Sequence, residues 1–143
     1  MKSFIAIIVM IAMLLLLTAI FRMLFKIPLW LLAAMSGWRE LSAKYPDKER
    51  GLNEQKLRFC SIRIRGIDYR SCVNILLSQE SLTLSIGFPF RDFHPNICIP
   101  RSQLLPSSRT TMWLTEYTVS DMETSIWFDK RVSQRLQEMN AKG

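Results

Sequence analysis

One histidine, His94, and three cysteines, Cys60, Cys72 and Cys98, are all the soft metal ligands this 143-residue chain has. Structural zinc sites pair their ligands two to four residues apart, so that one tight turn presents two donors. His94 and Cys98 are the only close pair, with Pro95 between them, and Cys60 and Cys98 stand among isoleucines, where cysteine behaves as a small hydrophobe. No metal and no cofactor is expected. An odd cysteine count at irregular spacing suits reduced thiols better than a disulfide framework. The chain also lacks a Gly-x-Ser-x-Gly elbow and a Gly-x-x-x-x-Gly-Lys phosphate loop. His94 and Asp92 alternate along one loop with no nucleophile in the pattern, and Glu116, Asp121 and Glu123 fall near a turn, as solvated carboxylates do. With no required constellation present, no catalytic residue is assigned and the protein is expected not to be an enzyme.

Acidic residues are few, 12 against 19 Lys and Arg, giving a formal charge of +7. Seven of the basic residues lie within positions 1–50, and the remainder carries twelve positive and nine negative side chains, a net of +3. Basic residues beside an anionic leaflet each gain on the order of 1 kcal/mol. No Arg-rich helix, zinc-finger spacing or aromatic RNP-like strand accompanies the charge, so a nucleic-acid partner is not expected.

What the chain does have, at its front, is "FIAIIVMIAMLLLLTAIF", Phe4–Phe21, eighteen residues without a charge. At about 1.5 Å per residue, with Met23, Leu24 and Phe25 extending it, this run crosses a hydrocarbon core of about 30 Å. It is longer than a cleavable signal's apolar region and is followed by "RMLFK" rather than a small-residue cleavage pattern, although the later "AAMSG" is the competing cleavage point. Residues 1–27 are therefore read as an uncleaved transmembrane signal anchor. Lys2 precedes the span; Arg22, Lys26, Arg39, Lys44, Lys48 and Arg50 come after it, against Glu40, Asp47 and Glu49. The positive-inside rule then places the remainder of the chain in the cytoplasm, at an inner membrane crossed once.

Pro28 is expected to break the helix or start a new one over residues 28–46. There Leu29, Leu32, Trp38, Leu41 and Tyr45 recur at helical spacing, an amphipathic segment that either lies in the membrane interface or packs on the β-domain. In the first case Arg22, Lys26, Trp30 and Trp38 are the interfacial residues. Residues 47–56 form a polar linker. Beyond it the pattern is that of strands: "LRFCSIRI" with Cys60, Ile62 and Ile64 inward, "SCVNILL", and "LTLSIGF" with Leu82, Leu84, Ile86 and Phe88 inward. "NICIP" continues towards "RSQLL", "PSS" turns the chain, and "TTMWLTEYTV" and "TSIWF" complete the strand set. Asp129 caps a helix with Val132, Leu136 and Met139 on one stripe. Residues 57–143 thus predict a mainly-β domain, a small antiparallel barrel or sandwich of about six or seven strands capped by a C-terminal helix.

A strand meander ending in one amphipathic helix resembles the PH/GRAM-like superfold. "GWRELSAKYP" after an N-terminal anchor, with "FPFRDFHPNICIPRSQL" further along, also resembles small uncharacterised bacterial membrane proteins with an N-terminal anchor. The resemblance covers most of residues 37–105 and implies architecture, an anchored PH-like β-domain, with no catalytic residues to carry over. Two binding surfaces are candidates. Arg63 and Arg65, two apart on one strand, with Arg70 after the turn, would match phosphate oxygens of membrane lipids bidentately; the alternative is a charged outer face that keeps the sheet soluble. Phe90, Phe93 and His94 in the "GFPFRDFHPNICIP" loop, stiffened by Pro89 and Pro95, and Trp113 with Tyr117 on a strand, are candidate anchors for a protein partner. In the opposite register Trp113 and Tyr117 would be core.

Overall fold

The computed structural model describes residues 2–47, 54–88 and 90–141; residues 48–53, which include Lys48, Glu49, Arg50 and most of the expected linker, lie outside them, as does Pro89. The chain divides into two compact units, Met1–Leu32 and Ala33–Gly143. The first is most of helix α1 (Lys2–Met35), whose segment Phe4–Met35 is long and apolar enough to cross a membrane. Its side chains from Phe4 through Pro28 are exposed. Pro28 does not break it, contrary to expectation. A proline inside a helix removes one backbone donor, and the strongly helical apolar residues on both sides carry the helix past that loss. The break comes at Gly37, whose φ of 75° is left-handed and whose N–H reaches the Ala34 carbonyl at 3.3 Å. A Cβ there would sit 3.0 Å from the Arg65 guanidinium, so glycine is needed for space as well as conformation.

The second unit opens with a short helix α2 (Trp38–Lys44) and continues as seven antiparallel strands. These are β1 (Gln55–Ile64), β2 (Ile67–Leu77), β3 (Ser81–Ile86), β4 (Ile97–Pro100), β5 (Leu104–Thr110), β6 (Leu114–Val119) and β7 (Thr124–Asp129). They lie in the order β4-β3-β2-β1-β7-β6-β5 in one sheet that does not close. Strand β1 is the hinge of this arrangement. It pairs with β2 along its length and with β7 over Ile62–Ile64, and its register shifts on both sides of Cys60. Phe59, in the bulge, has a φ of 54°. Such a bulge bends the strand and increases its twist, which lets one strand serve two halves of a sheet. Arg65 and Gly66, both at positive φ, close a two-residue β1–β2 hairpin of type I′.

The inward faces of β1 and β3 match the alternation read from the sequence, with Cys60, Ile62 and Ile64 and then Leu82, Leu84 and Ile86 buried, and in β2 Val73, Ile75 and Leu77 are buried as well. Helix α3 (Lys130–Ala141) covers this core with Val132 and Leu136 buried and Met139 packed against it. Asp129 caps the helix, Oδ1 accepting the Val132 N–H at 3.1 Å, while its Oδ2 accepts the Ser61 N–H at 2.9 Å. One carboxylate therefore fixes both the start of α3 and the bulged part of β1.

Four expectations need correcting. Phe88 is exposed, because β3 ends at Ile86 and the chain turns there. "PSS" lies within β5 and is accommodated by a register shift between Pro106 and Thr110. The strand after β4 is interrupted by a 3-10 turn, Arg101–Gln103. And Thr111–Trp113 are not strand but hairpin tip, closed by the Thr111 hydroxyl bonding both the N–H and the carbonyl of Leu114 at 3.1 Å.

Candidate functional site

The β1–β2, β3–β4 and β6–β7 connections meet at one end of their strands, and α2 is bonded to all three. Trp38 Nε1 donates to the Pro95 carbonyl at 2.8 Å, Glu40 pairs with Arg65 at 2.6 Å, and Lys44 Nζ donates to the Asp121 carbonyl at 2.8 Å. The chain then adds Pro46 against Ile97 as an isolated bridge, and the Cys98 N–H donates to the Tyr45 carbonyl at 2.9 Å. Trp38 and Leu41 are fully buried and Tyr45 nearly so. Of the two readings of residues 28–46, packing on the β-domain holds for Trp38–Tyr45. Trp38 is thus not an interfacial residue, whereas Arg22, Lys26 and Trp30 are exposed on α1.

Beneath α2 lies His94, fully buried, with the Trp38 and Tyr69 rings 5.3 and 5.5 Å away. His94 Nδ1 is 3.1 Å from the Phe90 carbonyl and so must carry the proton there, leaving Nε2 to accept from the Tyr69 hydroxyl at 3.3 Å. Tyr69 in turn accepts from the Ser36 hydroxyl at 2.6 Å, and Ser36 accepts the Trp38 N–H at 3.3 Å. The tautomer is assigned from this network. The Ser36 hydroxyl also lies 3.3 Å from the Ala33 carbonyl, and at the other end the series closes on the Phe90 carbonyl. Burial pushes the imidazole below its ordinary range, offset in part by the Phe90 carbonyl. His94 has no carboxylate partner in this network; its role is to hold the β3–β4 loop against α2. Phe90 packs partly on the core and Phe93 is half-buried, so the loop is a folded cap rather than an aromatic tip.

The arginines are brought together, but not free. Arg63 holds Asp68 through Nε at 2.5 Å and Nη2 at 3.2 Å, which lowers the Asp68 carboxyl's proton affinity, and Arg70 reaches the same carboxylate at 3.5 Å. Arg65 is engaged by Glu40 across Gly37. Exposed pairs of this kind contribute little stability, about 0–1 kcal/mol each, and they leave two carboxylates among three guanidinium groups.

Two adjacent exposed apolar side chains stand at the other end of β6. Met112 and Trp113 are 81% and 75% exposed at the β5–β6 tip. Tyr117, the expected companion of Trp113, is buried against Phe128 with ring centroids 5.5 Å apart. The pair is split because Trp113 lies on the turn, where strand alternation no longer applies. Between the tip and α3 runs a cavity of about 350 Å³, lined by the turn residues and by Lys130, Ser133, Gln134 and Gln137. Met112, expected within the TTMWLTEYTV strand, lies instead on the turn before β6.

Among the described residues no three His, Cys, Asp or Glu side chains converge as a metal site would require. No family model matches the chain, and neither the curated proteins nor the solved structures contain a match.

Proposed function

We propose that this is a single-pass membrane protein whose PH/GRAM-like β-domain acts by binding another protein at the cytoplasmic face of a bacterial inner membrane. The observation that carries the reading is the paired exposure of Met112 and Trp113 on a hairpin tip closed by its own Thr111 bonds. Exposed Trp and Met on a stiff turn are the residues that anchor interfaces, and they gain nothing from contact with water. The strand order with β1 shared between two halves, and a capping C-terminal helix, support the PH/GRAM-like reading. A binding rather than catalytic role is supported by His94, whose two ring nitrogens are both committed to structural bonds. The ion pairs of Arg63 and Arg65 weigh against the alternative, a lipid-phosphate sensor built on Arg63, Arg65 and Arg70. The cytoplasmic placement rests on the basic flank after α1. A photo-crosslinking side chain at position 113, in membranes, should give a discrete protein adduct that the same group at Glu138 does not. Equal, diffuse labelling from both positions would remove the docking role. A reporter at the C-terminus active only outside the cytoplasm would overturn the orientation.

A further inference from the structure

We propose that the outer face of β2 and β3, beside the β3–β4 loop, binds a neutral sugar. A cavity of about 420 Å³ lies there, within the roughly 300–1,000 Å³ of small-molecule sites. Its floor follows from register: Asn74 pairs with Ser85 and Leu76 with Thr83, all on the face turned away from the core. Its rim comes from Phe88, Arg91, Asp92 and Asn96 of the loop, and from Asp47 after α2. The loop is folded, with the Phe93 N–H on the Phe90 carbonyl at 3.1 Å and the His94 N–H on the Arg91 carbonyl at 3.3 Å. These side chains are therefore in position before a ligand arrives.

Thr83 is the observation that points to a ligand. It is only 7% exposed, and its hydroxyl makes no hydrogen bond among the described residues. Ser133 Oγ is the one unpartnered side-chain atom among them that is sealed from solvent, so the Thr83 hydroxyl keeps an opening, onto the cavity that Thr83 lines. A nearly buried hydroxyl without a partner is costly unless something completes it. The Asn74 side-chain amide is unpartnered too. Asn96 Nδ2 donates to Asp47 Oδ2 at 2.8 Å and leaves the amide oxygen free, and Ser85 Oγ donates to the Asn74 carbonyl at 3.3 Å and keeps its lone pairs. Donors and acceptors are thus mixed across the cavity, which suits hydroxyl groups, since each gives one bond and takes others. Charge narrows the class. Asp47 and Asp92 stand against Arg91 alone, so an anion meets net repulsion. An ammonium ligand would leave the Arg91, Asn74 and Thr83 donors without acceptors. The Phe88 ring, 93% exposed at the rim, supplies flat apolar area for the C–H face that a sugar ring shows between its hydroxyls. The β5–β6 tip takes no part in this site, so the sugar site and the docking role can fail separately.

Full-length protein in phosphatidylcholine nanodiscs is mixed with D-glucose, D-galactose, D-mannose or N-acetyl-D-glucosamine, and saturation-transfer NMR reads the ligand. At least one should give a saturable signal, and its L-enantiomer should give none, because the set of donors and acceptors is chiral. Inorganic phosphate should not displace the sugar. Thr83→Val keeps the shape and deletes the hydroxyl, so binding should weaken about fivefold, the loss of one neutral hydrogen bond. Its ligand-free unfolding temperature should hold or rise, which a misfolded variant could not show; a fall would mean that the hydroxyl already has a partner, and would count against the site. Phe88→Ala, at an exposed position, should weaken binding as well, whereas Met112→Ala on the β5–β6 tip should leave it unchanged. The inference is overturned by silence from every sugar, by an equal signal from the L-enantiomer, by displacement with phosphate, by wild-type binding in both Thr83→Val and Phe88→Ala, or by equal loss in Met112→Ala.

Discussion

Replacing Trp38 by alanine should cost the second unit most of its stability. The side chain is fully buried, and an aromatic of this size removes roughly 200 Å² from water. At about 25 cal/mol per Å² that is ~5 kcal/mol, in line with the range of about 3–5 kcal/mol for Trp→Ala cavities in protein cores. The Nε1 bond to the Pro95 carbonyl adds about 1 kcal/mol, and partial collapse of the hole takes some back. A loss of about 4–5 kcal/mol is expected, against a total of roughly 5–15 kcal/mol for a domain of this kind. Urea unfolding in detergent, monitored by near-ultraviolet circular dichroism, reads it directly. With a slope of about 2 kcal/mol per molar, the midpoint should fall by roughly 2 M at unchanged slope. If the midpoint moves by less than the equivalent of about 1 kcal/mol, Trp38 is not a core residue and α2 belongs to the membrane interface.

The same geometry sets three further outcomes. His94 binds its proton less tightly when folded, so the unfolded state holds more protons and stability rises with pH; the contribution is complete above its ordinary value of 6.5 and is lost as pH falls through the lowered folded value. Urea midpoints should therefore drop between pH 7.5 and 5.5 in the native protein, and a His94→Gln variant that drops as steeply would refute the assignment. Asp129→Ala removes a helix cap and the acceptor of the Ser61 amide, and should cost about 2 kcal/mol, with Asp129→Asn milder; a neutral alanine variant would deny the double role. The Cys60 thiol is pushed up to about 11, chiefly by burial, and so is almost wholly protonated at pH 8. Iodoacetamide should spare it in the folded protein and modify it in urea, whereas rapid labelling without denaturant would contradict its burial.

Much of this architecture could be read from period alone. The alternation in β1 and β3 and the Val132–Leu136–Met139 stripe were plain because each element buries one face and shows the other to water. Pro28 misled because a single lost backbone bond does not outweigh a long apolar helix, while Gly37 was silent because its constraint comes from Arg65, twenty-eight residues on. Trp38 and His94 could not be placed because their partners, Tyr69 and Pro95, are set by the meeting of separate loops. Trp113 and Tyr117 looked alike at a spacing of four, and a turn one residue before β6 separated them. Local periodicity carries the strands; long-range side-chain bonds, which leave no periodic trace, decide where the surface is.

Native-state hydrogen exchange on the full chain in nanodiscs tests most directly whether the segment after α1 is part of the β-domain. The Leu41 and Tyr45 amides, bonded to the Gly37 and Leu41 carbonyls at 3.0 and 2.8 Å, should be as protected as those of β1 and β2 and should lose that protection together with them in Trp38→Ala. Exchange of these two amides at the rate of a frayed surface helix, with the strands still protected, would contradict it.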